Sequence, residues 1–183
     1  GIERAEHLVE QLLALSRLEA DNGHYDNTEL LDWKDISAAL FDNYAEAAKK
    51  KNITLLSYIG ATSPIVRGNH ILAALLLRNL LDNAVKYARE DVPLHLFVKT
   101  RIEGNKVIIS IQDNGIGIKK EDLKKIFEKF YRVSTGNVHN VKGFGLGLAY
   151  VHKIVTDLKG SIRAESELNS GTTFIITLPL KNK

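Results

Sequence analysis

The 183-residue sequence contains no cysteine, no methionine, three prolines and one tryptophan. The absence of cysteine excludes disulfides, thiolate zinc sites and thiol nucleophiles. The absence of an initiating methionine indicates a piece of a longer protein. No apolar run approaches the roughly 20 residues of a membrane-spanning helix, and no signal peptide opens the sequence. We therefore expect a soluble domain that is stabilised by a hydrophobic core rather than by disulfides or structural metals.

The sequence also lacks a strong charge of either sign, because 25 Lys and Arg residues against 22 Asp and Glu residues leave a net charge of +3. Lysines cluster at 49–51 and again between 119 and 129. Aromatic residues do not alternate with these lysines, as they would on a surface that stacks nucleic-acid bases. We interpret both clusters as solvated surface and expect no nucleic-acid partner.

The hydrophobic pattern predicts two units joined by a linker. In residues 1–22, apolar side chains from Ala5 to Leu15 recur at spacings of three and four, which is typical of an amphipathic helix that packs on a partner. Residues 23–28 are polar and begin with a glycine, which predicts the end of that helix and a linker. The second unit is residues 29–183.

Helical and strand patterns are segregated within the second unit rather than strictly alternating. Asp35 and Asn69 are suited to cap the first two helices, and the last two strands form a hairpin. We predict an α+β fold, a two-layer sandwich of helices over one face of a mixed β-sheet, preceded by the amphipathic helix. The predicted elements are helices at 36–51, 70–88 and 148–159, a short lysine-rich helix ending near 127, strands at 53–59, 94–102, 106–112, 161–166 and 172–178, and a mobile loop at 131–147.

One face of the second helix carries an unusual set of polar side chains. At about 100° per residue, Asn79, Asn83 and Lys86 fall within about 60° of one another, and Tyr87 flanks them. Asparagine is a poor residue for the interior of a helix unless its side chain has a partner. Carboxamide oxygens suit Mg²⁺ and a lysine suits phosphate, although the spacing alone is equally compatible with a solvated helix face.

A second motif, Asp113-Asn114-Gly115-Ile116-Gly117, follows a strongly apolar strand. Gly115 and Gly117 allow the backbone to approach a flat ligand or to take positive φ. Taken alone, the motif is also compatible with an ordinary Asp-Asn-Gly turn.

A third motif, Gly143-Phe144-Gly145-Leu146-Gly147-Leu148, leads directly into a helix. Backbone N–H groups in such a loop can bind an anion together with the N-terminus of the helix. The spacing differs from that of a dinucleotide-binding fingerprint, and the sequence contains no P-loop.

These three motifs in this order, followed by Gly171-Thr172-Thr173-Phe174, resemble the GHKL ATPases. More narrowly, they resemble the catalytic domain of bacterial sensor histidine kinases, over about Leu30 to Leu180. The resemblance implies a domain that binds ATP with Mg²⁺ and transfers the γ-phosphate to a histidine. Phosphoryl transfer depends mainly on positioning and charge neutralisation, which these residue types can supply.

The resemblance also assigns roles to individual residues. Asn83 would coordinate Mg²⁺, Asn79 would contact the metal and phosphates, and Lys86 would contact a phosphate; these three are the catalytic candidates. Asp113 would accept a hydrogen bond from the adenine amine, and Thr172 would support the same edge through water. The other positions that would contact ATP are Tyr87, Gly115, Gly117 and Ile118 around the base, Phe130 and Arg132 in and after the F box, and Gly143, Gly145, Leu146, Gly147 and Leu148 in the lid motif.

Asn79 also helps to distinguish kinases from ATP-hydrolysing members of the resembled family. ATP-hydrolysing relatives carry at this position a glutamate that activates water, and asparagine has no basic oxygen for that task. This difference favours a kinase over an ATPase.

Residues 8–19 resemble the end of the second helix of the kinases' dimerisation and phosphoacceptor hairpin, whose acceptor histidine lies on the first helix. The resemblance implies a homodimeric parent, anchored in the bacterial inner membrane with this domain in the cytoplasm, and a response regulator receiver domain as partner. Two alternatives remain: a nucleotide-binding regulatory module without kinase activity, and a GHKL kinase acting on serine.

Overall fold

The computed structural model describes residues 28–50, 52–59, 63–131 and 147–181, together with six single helical positions between 2 and 20. Strands and helices alternate irregularly along these ranges. In chain order they are β1 (Glu29–Asp32), α1 (Trp33–Lys50), β2 (Thr54–Ile59), β3 (Ile65–Gly68), α2 (His70–Lys86), β4 (His95–Glu103), β5 (Lys106–Asp113), α3 (Gly147–Asp157), β6 (Ser161–Glu167) and β7 (Gly171–Pro179).

Five of the strands form a mixed sheet in the order β2-β4-β5-β7-β6. Strand β2 pairs with β4 in parallel, and the other neighbours pair antiparallel. Strands β1 and β3 form a separate antiparallel pair. The predicted α+β fold with helices over a mixed sheet is confirmed.

The core lies between the helices and one face of the sheet. Along β5, Val107, Ile109 and Ile111 are buried, whereas the residues between them are partly or fully exposed. Leu76 and Leu80 of α2 are completely buried in the same cluster. Each such side chain contributes roughly 1.5–3 kcal/mol to stability through burial. The alternation also places Asp113, two residues after Ile111, on the core face at the end of β5.

Helix α2 is held in one rotational orientation by polar contacts as well as by its apolar face. Its cap is the predicted one, because the Asn69 side chain accepts hydrogen bonds from the backbone of Ile71 and Leu72. The Tyr44 hydroxyl of α1 donates to Asp82 Oδ1 at 3.0 Å. Burial and the neighbouring Asp82 raise the pKa of Tyr44, so this hydroxyl stays a donor at neutral pH. With Asp82 turned toward α1, the positions of Asn79, three residues earlier, and of Asn83, about 100° further round the helix, are also set.

Two local predictions were wrong, and one strand pairing was missed. The first helix begins at Trp33 rather than Ile36, and Asp32, not Asp35, accepts the hydrogen bond from the Lys34 amide. The lysine-rich stretch at 120–130 forms successive turns instead of a helix. The pairing of β1 with β3 was not predicted, because each strand has only four residues.

The predicted amphipathic helix of residues 1–22 and its linker lie almost entirely outside the described residues. Of the six described positions in this segment, Ile2, Val9 and Leu13 are exposed. Within the described part of the chain, no helix has the length and apolarity to span a membrane.

Gly117 brings two loops into backbone contact. It has a φ of 75°, and a Cβ built on it would overlap the carbonyl oxygen of Glu167. Gly104, in the β4–β5 turn, has a similar φ of 62° but no heavy atom within 4 Å of such a Cβ. Both glycines therefore have positive φ, but only Gly117 lies against the backbone of another segment.

We expect Gly117→Ala to lower the free energy of unfolding by about 2 kcal/mol more than Gly104→Ala. Both substitutions carry the strain of positive φ, roughly 1–2 kcal/mol, and only Gly117→Ala forces the two loops apart. Urea unfolding of both variants measures the difference. Equal losses would show that the contact at Gly117 is easily relaxed.

Candidate functional site

A cleft opens where the end of α2, the end of β5, the start of α3 and the start of β7 meet. Its walls are mostly apolar, with a few polar side chains that converge on the same space, as is common in small-molecule sites. The lining residues are Asn83, Tyr87, Asp113, Ile116, Gly117, Ile118, Ile126, Tyr131, Leu148 and Thr172.

Asp113 is the buried charged group of this cleft, with 8% of its surface exposed. Its Oδ1 accepts hydrogen bonds from the Gly115 amide at 2.8 Å and the Thr172 amide at 3.2 Å. Burial raises the pKa of Asp113, and these two amides oppose that shift. Because both bonds use Oδ1, Oδ2 is the carboxylate oxygen suited to accept a hydrogen bond from a ligand.

The loop after β5 is joined to the end of α2 by its backbone. The Ile116 amide donates to the Tyr87 carbonyl at 2.9 Å. A Cβ built on Gly115 would overlap the same carbonyl oxygen, so the close approach requires glycine. This contact fixes Asp113 relative to Asn83 and Tyr87, although they come from different elements.

The opposite side of the loop is joined to the β6–β7 hairpin. The Ile118 amide donates to Ser166 Oγ at 2.8 Å, and the same oxygen lies 2.8 Å from Thr172 Oγ1. The Asn169 amide donates to the Ile116 carbonyl, also at 2.8 Å. Thr172 is thus held beside Asp113 by its own amide and through Ser166.

The two asparagines predicted to contact Mg²⁺ or the phosphates, Asn79 and Asn83, both lie on α2. Asn83 lines the cleft, and Asn79 is half-buried near the start of α3, where a Cβ built on Gly147 would lie 3.7 Å from Asn79 Oδ1. The described residues contain no group of three or more His, Cys, Asp or Glu side chains that could hold a metal. A carboxamide oxygen suits a Mg²⁺ ion that takes its other ligands from phosphate and water. Lys86 is exposed at the last turn of α2.

Tyr131 lines the cleft, whereas the neighbouring Phe130 does not and is 59% exposed. The Tyr131 hydroxyl donates to Asp122 Oδ1, and this bond raises the pKa of Tyr131. Phe130 has a φ of 64°, which turns the chain at this point. An aromatic residue of this segment does reach the cleft, but it is the residue after the predicted one.

Most of the described residues that the sequence singled out come together here. Gly115 supports the cleft from behind, Gly147 lies beside Asn79, and Lys86 is one residue before Tyr87. Four residues in or beside the cleft were not among the predicted site residues: Tyr131, Ile116, Ile126 and Ser166. The motifs next to Tyr131 and Ile116 could have indicated these two, whereas nothing in the local sequence indicated Ser166. The predicted contacts at Arg132, Gly143, Gly145 and Leu146 lie outside the described residues.

The sequence model of the family described as histidine kinase-, DNA gyrase B- and HSP90-like ATPase matches residues 68–182. The chain belongs to this family. The matched region begins before α2 and contains every described residue that lines the cleft.

Within the family, the chain is homologous to sensor histidine kinases. It is 48% identical to the sensor protein RprX of Bacteroides fragilis over 178 residues, covering 97% of this chain and 34% of that protein. It is 30% identical to the sensor histidine kinase WalK of Bacillus subtilis, covering 99% of this chain and 29% of that protein. The chain therefore spans about a third of the length of these relatives.

A solved structure agrees with these relatives. The Acinetobacter baumannii histidine kinase AdeS superposes with a TM-score of 0.77 at 28% identity, covering 99% of this chain and 81% of that one. The fold is that of the histidine kinase catalytic domain.

We expect Asp113→Asn to make the domain more stable at neutral pH. The raised pKa means that folding disfavours the ionised carboxyl, so the contribution of Asp113 to stability is full below its ordinary pKa of 3.8 and is lost as the pH rises through the folded pKa. Asparagine does not ionise and can still accept both amide hydrogen bonds.

Urea unfolding at about pH 7 and about pH 4 checks this expectation, with Glu90→Gln as the exposed control. The gain in Asp113→Asn should shrink at the lower pH, in the direction that linkage requires. A variant less stable than the parent at pH 7 would mean that the two amides outweigh burial.

Proposed function

We propose that this chain binds ATP with Mg²⁺ in the cleft and acts as the catalytic domain of a sensor histidine kinase. The observation that carries the proposal is the buried Asp113, whose Oδ2 is suited to accept a hydrogen bond, in an apolar cleft that Asn83 also lines. ATP has a flat base with an amine donor at one end and charged oxygens at the other. The carboxylate suits the amine, and the carboxamide suits a Mg²⁺ ion that is bound to the phosphates.

The residues around Asp113, which we take as the base end of the cleft, and the asparagines of α2 support this mode of binding. Ile116, Ile118, Ile126 and Leu148 supply apolar surface for a base, and the Asp113 carboxylate supplies an acceptor for its exocyclic amine. Bound Mg²⁺ would neutralise phosphate charge, and Asn83, with Asn79 beside it, would hold it by carboxamide oxygens. Lys86, Arg132 after the F box and the lid residues Gly143, Gly145, Leu146 and Gly147 would contact the phosphates.

The nucleophile should be a histidine imidazole rather than water. Asn79 occupies the position at which hydrolysing relatives carry a glutamate base, and a carboxamide cannot take a proton from water. The γ-phosphate would then await a histidine of the dimerisation domain, for relay to a response regulator receiver domain. The parent protein would be a homodimer anchored at the inner membrane, with this domain on the cytoplasmic side.

We expect Asn83→Ala to lose most Mg²⁺-dependent binding of a non-hydrolysable ATP analogue, with a decrease in affinity of about tenfold or more. Calorimetric titration with and without Mg²⁺ measures it. Gln112→Ala is a matched control, because Gln112 is also a carboxamide but is exposed on the face of the sheet opposite the core. Absence of nucleotide binding in the unmodified chain would overturn the proposed function.

A regulatory module without kinase activity is the second candidate, and labelling separates the two. The full-length parent incubated with γ-labelled ATP should acquire an acid-labile, base-stable phosphoryl group on histidine, and Asp113→Asn should reduce the rate by tenfold or more because the amide presents a donor to the amine. A parent that binds ATP but never labels would favour the regulatory module, and a label on serine would favour a serine kinase.

A further inference from the structure

Ser166 does not line the cleft, yet it joins three groups that shape the base end of it. Its Oγ accepts from the Ile118 amide, donates to the Gly171 carbonyl and contacts Thr172 Oγ1, each at 2.8 Å. Ile118 and Thr172 both line the cleft. The half-buried hydroxyl of Ser166 is therefore shared between the loop after β5 and the start of β7.

The hydrogens in this cluster can be assigned by counting donors. A serine hydroxyl has one hydrogen to donate, and a carbonyl oxygen can only accept. At 2.8 Å from the Gly171 carbonyl, the Ser166 hydrogen must lie between the two oxygens, because two acceptors at that distance repel. The hydrogen between Ser166 and Thr172 must then come from Thr172. The Thr172 hydroxyl is thereby left with lone pairs for any further partner.

We propose that Ser166 is a positioning residue that makes the Thr172 hydroxyl a hydrogen-bond acceptor toward the cleft, and so selects 6-amino purines over 6-oxo purines. The proposal rests on the proposed binding of ATP. The Thr172 amide bonds to Asp113 Oδ1, so the threonine and the carboxylate are neighbours at the base end. Two adjacent acceptors suit an amine, directly or through a water, and disfavour a carbonyl oxygen.

Removing the Ser166 hydroxyl should release this constraint. In Ser166→Ala the Thr172 hydrogen loses its acceptor and can rotate to donate to a 6-oxo group. Asp113 remains, so the preference for the amine falls without disappearing. The quantity to measure is the ratio of the Kd for inosine triphosphate to the Kd for ATP, both with Mg²⁺.

We expect that ratio to fall about fivefold in Ser166→Ala, the effect of one net hydrogen bond. Thr172→Val should lower it similarly, and adding Ser166→Ala to Thr172→Val should change it no further, because both act through one hydroxyl. Ser161→Ala, an exposed serine on the same strand, should keep the parent ratio. If Ser166→Ala does not fold, Ser166→Cys weakens the same hydrogen bonds, because a thiol is a weak donor and a weak acceptor, and the ratio should fall in the same direction.

Two results would overturn the inference while leaving the proposed function intact. One is a parent chain that binds ATP and inosine triphosphate equally well. The other is a Ser166 variant that loses affinity for both nucleotides by the same factor, which is what a purely structural role of the loop predicts. A parent chain that binds neither nucleotide would instead contradict the proposed function itself.

Discussion

The burial of one carboxylate at the end of a central strand is the constraint on which the site depends. A buried charge is costly unless hydrogen bonds compensate for the lost water. Asp113 receives two backbone amides, one from Gly115 in its own loop and one from Thr172 across the sheet. Both amides must approach closely, and a Cβ built on Gly171 would overlap the Asp113 carbonyl oxygen. Gly171 is thus required where the start of β7 passes close to the residue that carries this charge.

The site also depends on the orientation of α2, which contacts the core, α1 and the cleft. Its leucines pack in the core, Asp82 bonds to Tyr44 of α1, and Asn83 reaches the cleft. Because side chains three and four residues apart share a face, fixing Asp82 and the leucines also fixes Asn79 and Asn83. The helix then ends at Tyr87, whose carbonyl accepts from Ile116 and joins the helix to the Asp113 loop. Asn83 and Asp113 are therefore held in one rigid arrangement.

The sequence predicted the parts of this arrangement that are encoded locally. The Asn69 cap, the apolar strand that places Asp113 at its end and the side of α2 that carries Asn79 and Asn83 all follow from residue types and spacing along one element. The pairing of β1 with β3 and the hydrogen bonds of Ser166 join residues distant in sequence, to which local patterns are insensitive. The turns at 120–130 were predicted as a helix because lysine and leucine favour helices, and tertiary context overrode that preference.

The difference between side chains that line the cleft and side chains that act through a neighbour has a consequence for how the domain can vary within its family. In the proposed complex, Asp113 and Asn83 would meet the nucleotide through their own side chains, so changing either would alter the chemistry of the site directly. Ser166 would act only through the hydrogen that Thr172 donates to it, so its replacement would leave the shape of the cleft and change which groups donate and which accept. Such a domain could change its preference among purines at a residue outside the cleft, while the apolar walls keep the affinity that all purine nucleotides share and the buried carboxylate keeps part of the preference for an amine.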